Sequence, residues 1–193
     1  MKNIRCEWKG TTPLIMHSCR GVNPLDPLVI ELKKLTAIRK KTDDDLRPIS
    51  DIEWELGLYW DDNLGLYIPA DNIIKSVQEG AQVRKRGKDI AKGFDITEMM
   101  VPLDIGESLT KDQLREQYRF RDVRAMSVMR AKVNRTRPRF TNWKLCFSVQ
   151  YDEKILDIST IADAMEYAGS YIGICDSRTR KYGRFVCNIE ELD

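Results

Sequence analysis

Three arginines at alternate positions are the residues of this chain whose types and spacing best fit a chemical task. Arg135, Arg137 and Arg139 are followed directly by Phe140. In an extended segment, side chains two positions apart lie on one face, so the three guanidinium groups would line up. Guanidinium groups bind phosphate in a forked geometry, and an aromatic ring can stack on a base. The segment therefore predicts a nucleic-acid contact; the alternative is a solvated turn whose arginines only serve solubility.

A second basic segment lies near the end of the chain, between Gly173 and Arg184. Residues 178–184 contain four cations and no acid. Glycines let a backbone approach a phosphate chain closely, and free N–H groups add anion contacts. This loop is the second predicted contact with nucleic acid, and a turn whose charges only keep it soluble is the alternative.

A third basic segment, residues 84–92, is predicted to be an exposed and flexible loop with five cations against Asp89. A solvated charge run is the usual explanation for such a composition, and neighbouring glycines leave nucleic-acid contact open. The complete set of candidate nucleic-acid contacts is His17, Arg20, Lys75, Arg84, Arg86, Lys88, Lys92, Arg130, Arg135, Arg137, Arg139, Phe140, Arg178, Arg180, Lys181 and Arg184.

Two other residues invite a chemical interpretation, but a structural role explains each of them. His17 is the only histidine, which excludes multi-histidine metal sites, and a lone histidine after an apolar run is more often packed or hydrogen-bonded. Asp26 stands before Pro27, which is the arrangement of a helix N-cap followed by a first-turn proline. No second carboxylate with ligand spacing accompanies Asp26, and Asp43–Asp45 lack the spacing of a calcium loop. No metal and no other cofactor are predicted.

The composition fits a folded chain of single-domain size. The 193 residues are 42% hydrophobic and 32% charged, with a net charge of +2, so the chain can bury a core. The apolar runs are too short to span a membrane. The five cysteines form no CxxC pair and no export signal is visible, which predicts reduced thiols and a cytoplasmic protein. No phosphate-binding glycine loop, nucleophile elbow or zinc-protease motif occurs, so an enzyme is not predicted.

Apolar periodicity predicts alternating strands and helices. Helices are predicted from Pro27 to about Lys41 and over 50–56, followed by a helix capped by Asp71 and a final helix that is capped by Ser159 and ends at Gly169. Strands are predicted over residues 3–8, 127–135, 143–151 and 184–189, and a hairpin over 59–68.

The order of these elements predicts an α+β fold. Strand 127–135 is expected to pair with strand 143–151 through a basic hairpin tip at 136–142. Strand, helix, two paired strands, helix and strand match a βαββαβ core of the ferredoxin-like or RRM-like type, with an antiparallel sheet and inserted loops and a hairpin. A single domain over 1–193, with an insertion at about 42–125, is therefore expected.

Two segments resemble the RAMP superfamily, the RRM-like backbone subunits of CRISPR effector complexes. Residues 169–185 read GSYIGICDSRTRKYGRF, a helix end and a glycine-rich basic loop before the last strand. Residues 66–75 read LYIPADNIIK and are similar to the family's strand, Ile-Pro and helix element, which often reads IPGSSLKG. Where the family usually has Gly-Asp-Trp-Arg, residues 175–178 read Cys-Asp-Ser-Arg, so the aromatic side chain is missing.

The chain also resembles a group of phage and prophage proteins with the same layout, through residues 12–17, 23–28 and 135–140 with Trp143. The resemblance implies a RAMP-like domain whose glycine-rich loop lines the nucleic-acid face. It also implies that copies of the chain line up as a homo-oligomer along one strand of nucleic acid. Partners would be single-stranded RNA in CRISPR complexes, or single-stranded DNA together with phage replication proteins.

Three functions follow as hypotheses. The first is a non-enzymatic protein that binds single-stranded nucleic acid along its phosphate backbone without sequence specificity. The second is a metal-dependent ribonuclease that uses Asp26, because some RAMP backbone subunits cut RNA with a loop aspartate near the first helix. The third is a protein-interaction module, such as a phage protein that mimics a CRISPR subunit and blocks assembly.

Overall fold

The computed structural model of the protein describes residues 1–128 and 131–192. It is a mixed α and β structure with antiparallel sheets. The chain divides into two compact units, each assembled from separate stretches of sequence. Unit 1 comprises Met1–Leu14, Asp61–Ser108 and Thr141–Asp193, and unit 2 comprises Ile15–Trp60 and Leu109–Phe140.

Pairs of strands alternate with pairs of helices over the first half of the chain. In chain order they are β1 (Lys2–Gly10), β2 (Leu14–Ile15), α1 (Pro27–Thr36), α2 (Asp43–Gly57), β3 (Trp60–Asp61), β4 (Gly65–Pro69), α3 (Ala70–Gln82), α4 (Gly87–Gly93), β5 (Phe94–Ile96), β6 (Met100–Asp104), α5 (Lys111–Glu116), β7 (Arg121–Val128), β8 (Ala131–Phe140), β9 (Lys144–Tyr151), α6 (Ile158–Tyr167) and β10 (Phe185–Leu192). Short 3-10 turns lie at Cys19–Val22, Tyr118–Phe120 and Arg178–Arg180, and a π-helical turn at Ala168–Ile172 follows α6.

The larger sheet places the two strongest alternating segments side by side. Its order is β10–β1–β9–β6–β4–β3, and β5 also pairs with β9. Strand β1 is antiparallel to both neighbours, so that Cys6 lies opposite Phe147 on one side and Ile189 on the other. Ile4, Cys6 and Trp8 are fully buried. The strands predicted at 3–8, 143–151 and 184–189 are therefore confirmed.

Helices α3 and α6 pack against each other in unit 1. A Cβ atom on Gly80 of α3 would lie 2.2 Å from the carbonyl oxygen of Ala164 of α6, so only glycine permits this close crossing. Ile73 and Val77 of α3, together with Ile161 of α6, are fully buried. Their helical spacing puts the apolar face of each helix into the core.

Unit 2 is built around α2, which packs on β8. Val29 of α1 joins Ile52 and Leu56 of α2 in a buried apolar cluster. The indole of Trp54 donates a hydrogen bond to the carbonyl of Phe120 at 2.9 Å. The smaller sheet, in the order β2–β8–β7, completes this part of the fold.

The predicted pairing of strand 127–135 with strand 143–151 is wrong. Strand β8 pairs with β7 in the smaller sheet, with Arg124 opposite Arg135, whereas β9 lies between β1 and the strands β5 and β6. Residues 136–140, expected at a hairpin tip, lie inside β8. Alternation fixes which side chains share a face, but it contains no information about which strand lies alongside.

Several helix boundaries also differ from the expectations. Residues 87–93, expected in a flexible loop, form α4, and α1 ends at Thr36 rather than near residue 41. The acidic run at 43–45 is the first turn of α2, where Asp45 forms a capping box with Thr42. The N-cap of α6 is Asp157, not Ser159, because its carboxylate accepts the amide of Thr160. Carboxylates in a first turn interact favourably with the helix dipole.

Candidate nucleic-acid interface

The cationic loop of unit 1, Gly173–Arg184, has a backbone defined by left-handed residues. Gly173, Cys175, Ser177, Lys181 and Gly183 all have φ between 58° and 79°. At Gly183, an added Cβ would lie 2.2 Å from the carbonyl oxygen of Ile174, so the two arms of the loop touch there. Such a backbone persists only where its surroundings hold it in place.

Two neighbouring elements hold the loop in position. At the end of β1, Pro13 accepts the amide of Gly183 at 2.9 Å, and the Thr12 hydroxyl accepts the amide of Arg184 at 2.9 Å. From α3, the buried Ser76 hydroxyl donates to the carbonyl of Gly173 at 2.9 Å. These contacts fix the points from which the loop's cationic side chains project.

The cations of this loop outnumber the carboxylates that contact them in the described residues. Arg178 donates to Glu79 at 2.8 Å, and the loop contains one carboxylate of its own, Asp176. Arg184 donates to the carbonyl of Arg178 through Nη2 at 3.4 Å, while its Nη1 is buried without a hydrogen-bond partner. Burial, and then the charge of Arg178, hold the pKa of Arg184 below its ordinary value. Arg180 and Lys181 are exposed. The loop therefore carries excess positive charge and an unused guanidinium donor.

An exposed aromatic ring immediately precedes the loop. Tyr171 lies in the π-helical turn, is 66% exposed and packs at 4.8 Å from the ring of Tyr167. Both rings line a cavity of about 530 Å³ that also contains Arg84 and Asp163. Tyr171 was not among the contacts predicted from the sequence. Its position two residues before a loop rich in glycine and cations is the feature that could have identified it.

The three arginines of β8 share one face, as the alternating pattern predicts, but they lie along a strand and not at a hairpin tip. Arg135 forms an ion pair with Glu53 of α2, whose carboxylate also accepts the amide of Thr136 at 2.9 Å. Asp122 lies opposite Arg137 in the sheet. The Nε atom of Arg139 is buried without a hydrogen-bond partner. Glu53 thus neutralises part of this basic face within unit 2.

Phe140 is a core residue, which corrects its prediction as a base-stacking side chain. It is fully buried, and its ring lies 5.7 Å from the ring of Phe120. In an alternating strand, the residue after three half-exposed arginines at 135, 137 and 139 falls on the opposite, inward face. The same alternation that aligns the arginines therefore buries the phenylalanine.

The segment 84–92 is held in place rather than free. Arg84 pairs with Asp163 of α6 at 2.7 Å. Arg86 pairs with Asp89 at 2.5 Å and donates to the carbonyl of Ile155 at 3.0 Å. Lys85, Lys88 and Lys92 are exposed, and so is Arg84 despite its ion pair.

The other candidates are distributed between the two units. In unit 1, Lys75 lies 3.9 Å from Glu79. In unit 2, His17 is exposed and lines a cavity of about 400 Å³ with Arg135 and Arg137. Arg130 lies outside the described residues.

Asp26 is the N-cap of α1, as predicted. Its carboxylate accepts the amide of Leu28 at 2.9 Å and Nε of Arg20 at 2.6 Å. The Arg20 guanidinium, with the Leu28 amide, holds the pKa of Asp26 below its ordinary value. Among the described residues, no group of three His, Cys, Asp or Glu side chains could hold a metal ion. Capping and the ion pair account for the position of this carboxylate.

The comparisons with known proteins leave the function to be argued from these residues. No protein-family model matches the chain, and no curated protein is significantly similar to it in sequence. Within the described part of the chain, no helix is long and apolar enough to cross a membrane.

Proposed function

We propose that this protein binds single-stranded nucleic acid through the cationic loop, along the phosphate backbone and without reading sequence. The observation that carries the proposal is the charge imbalance of that loop. The four cations of the loop, Arg178, Arg180, Lys181 and Arg184, outnumber the two carboxylates beside them, Asp176 of the loop and Glu79 of α3. Arg180 and Lys181 are exposed, so phosphate oxygens can reach them and supply both hydrogen-bond acceptors and countercharge.

The exposed ring of Tyr171 favours a single strand over a duplex. Single strands present unstacked bases that can lie on an aromatic side chain, whereas the bases of a duplex are already stacked. Tyr171 stands beside the loop in sequence and is 66% exposed. A strand whose phosphates follow the loop would thus have a ring available for one of its bases.

We further propose that unit 1 contains a ferredoxin-like core of the RAMP type. Strands β10, β1, β9 and β6 are neighbours in that order, and α3 separates β1 from β6 along the chain, as α6 separates β9 from β10. This corresponds to the order of a βαββαβ core, with β5 and β6 in place of the strand expected at 127–135. Under this proposal, copies of the chain line up along one strand of nucleic acid, with CRISPR or phage replication proteins as partners.

Fluorescence anisotropy with labelled single-stranded RNA, single-stranded DNA and duplex DNA tests the proposed function. We expect salt-sensitive binding that is tighter for a single strand than for the duplex, because backbone contacts release counterions. The preferred single strand decides between RNA and DNA. Equal affinity for the duplex, or no binding at low salt, would overturn the proposal. In the second case, a protein partner becomes the hypothesis to pursue.

A further inference from the structure

Three sulfur atoms from distant parts of the sequence meet in the core of unit 1. The Sγ atom of Cys6 on β1 lies 3.9 Å from Sδ of Met165 on α6, and Sγ of Cys187 on β10 lies 3.5 Å from the same Sδ. Cys187 lies opposite Trp8, two residues from Cys6 along β1, so the two thiols share one face of the paired strands. The three sulfurs therefore form a closed triangle.

The dimensions of this triangle suit one metal ion at its centre. Three sulfur ligands at about 2.3 Å from a metal, in a plane with it, are separated from one another by about 4.0 Å. The two measured separations, 3.5 and 3.9 Å, need to expand by at most a few tenths of an ångström. Rotation of the flexible Met165 side chain can supply this movement.

A buried polar group next to the triangle is a second observation that points to a ligand. The indole Nε1 of Trp8 is fully buried and has no formed hydrogen bond. Trp8 lies directly opposite Cys187 where β1 pairs with β10, which places the indole on the same face of the sheet as that thiol. A metal-bound thiolate is a better hydrogen-bond acceptor than a thiol, and N–H donors in this position commonly orient metal ligands.

We propose that Cys6, Cys187 and Met165 form a binding site for a soft monovalent metal ion, Cu(I). Two thiolates and a thioether are soft ligands that select Cu(I), whereas a structural zinc site requires a fourth ligand. Binding releases the two thiol protons, so that the metal and the two thiolates together carry one negative charge. The partly exposed Cys187 on the edge strand β10 provides access from solvent. This site is independent of the proposed nucleic-acid function.

Competition for Cu(I) with a colorimetric chelator, under anaerobic conditions, tests the site in the full-length chain. The exposed thiols of Cys19 and Cys146 are first replaced by serine to give a background protein. We expect this protein to take up one equivalent of Cu(I), with three sulfur neighbours at about 2.3 Å in X-ray absorption. Failure to remove Cu(I) from the chelator, or a spectrum with two sulfur neighbours, would overturn the proposal.

Variants of the site separate metal binding from folding. In the background protein, Met165→Leu conserves volume, so the core should persist, yet Cu(I) affinity should fall about tenfold or more. Cys187→Ser should abolish uptake of the ion. The background protein itself is the matched control, because it lacks two cysteines outside the triangle but retains all three sulfur ligands. Wild-type affinity in either variant, with unchanged thermal unfolding, would show that the triangle is only core packing.

Discussion

Neutralising the two exposed cations of the loop provides the sharpest test of the proposed interface. The double change Arg180→Gln and Lys181→Gln removes two positive charges and leaves the anchored pair Arg178 and Glu79 in place. Both altered side chains are exposed. The free energy of unfolding should therefore change by less than about 0.5 kcal/mol.

The expected decrease in the salt dependence of binding follows from counterion release. Each phosphate contact on a single strand contributes about 0.7 to the slope of log affinity against log salt, so two lost contacts lower the slope by about 1.4. Between about 50 and 200 mM salt, a fourfold change, the wild-type protein should lose about sevenfold more affinity than the variant. Fluorescence anisotropy with one labelled oligonucleotide across a salt series measures both slopes.

A control with the same change in charge distinguishes the loop from the net charge of the chain. Lys2→Gln with Lys154→Gln also removes two cations. Lys2 begins β1, whereas the loop is anchored just beyond the other end of that strand, at least about 27 Å away at roughly 3.4 Å per residue. This exceeds the screening length of about 10 Å at 0.1 M salt. An unchanged slope in the loop variant, or an equal decrease in the control, would refute the reasoning.

Three further predictions concern stability. Asp26→Ala should cost about 1–2 kcal/mol at neutral pH in urea unfolding. Because the folded pKa of Asp26 is lowered, its contribution is present above the unfolded pKa and is lost as pH falls through the folded pKa, so the variant should show a shallower acid dependence. Gly183→Ala should lower the melting temperature through its positive φ and the contact with Ile174, whereas Gly21→Ala, which meets no atom within 4 Å, should not. Phe140→Ala should destabilise unit 2 by about 3–5 kcal/mol without changing the affinity of the folded protein for nucleic acid; selective loss of binding would contradict its burial.

Structural features that depend only on residues close together in the sequence could be predicted. The alternation of Ile4, Cys6 and Trp8 predicted one buried face of β1, and all three are fully buried. The pair Asp26 and Pro27 predicted a helix start, and the Asp26 carboxylate accepts an amide of the first turn. Strand period and capping chemistry operate within a few residues, so local sequence contains the information they need.

The partner of β9 could not be predicted in the same way. Strands 127–135 and 143–151 are close in sequence and both alternate, which favoured a hairpin between them. Strand β9 instead pairs with β1, where Cys6 faces Phe147 across a separation of more than a hundred residues. Every alternating strand offers the same backbone donors and acceptors, so pairing is decided by which faces pack together in the core.

The basic segments could be recognised from the sequence. The sequence did not show which of their cations are already paired with carboxylates. Arg135 is neutralised by Glu53, 82 positions away, and Arg178 is held by Glu79, 99 positions away. Local sequence places a guanidinium on a face or in a turn because covalent geometry sets that direction. Only the folded chain decides which carboxylate pairs with that guanidinium, because such contacts join residues that are far apart along the backbone. The same holds for the sulfur atoms that meet in the core. The charged loop and the sulfur triangle both depend on that second, long-range level.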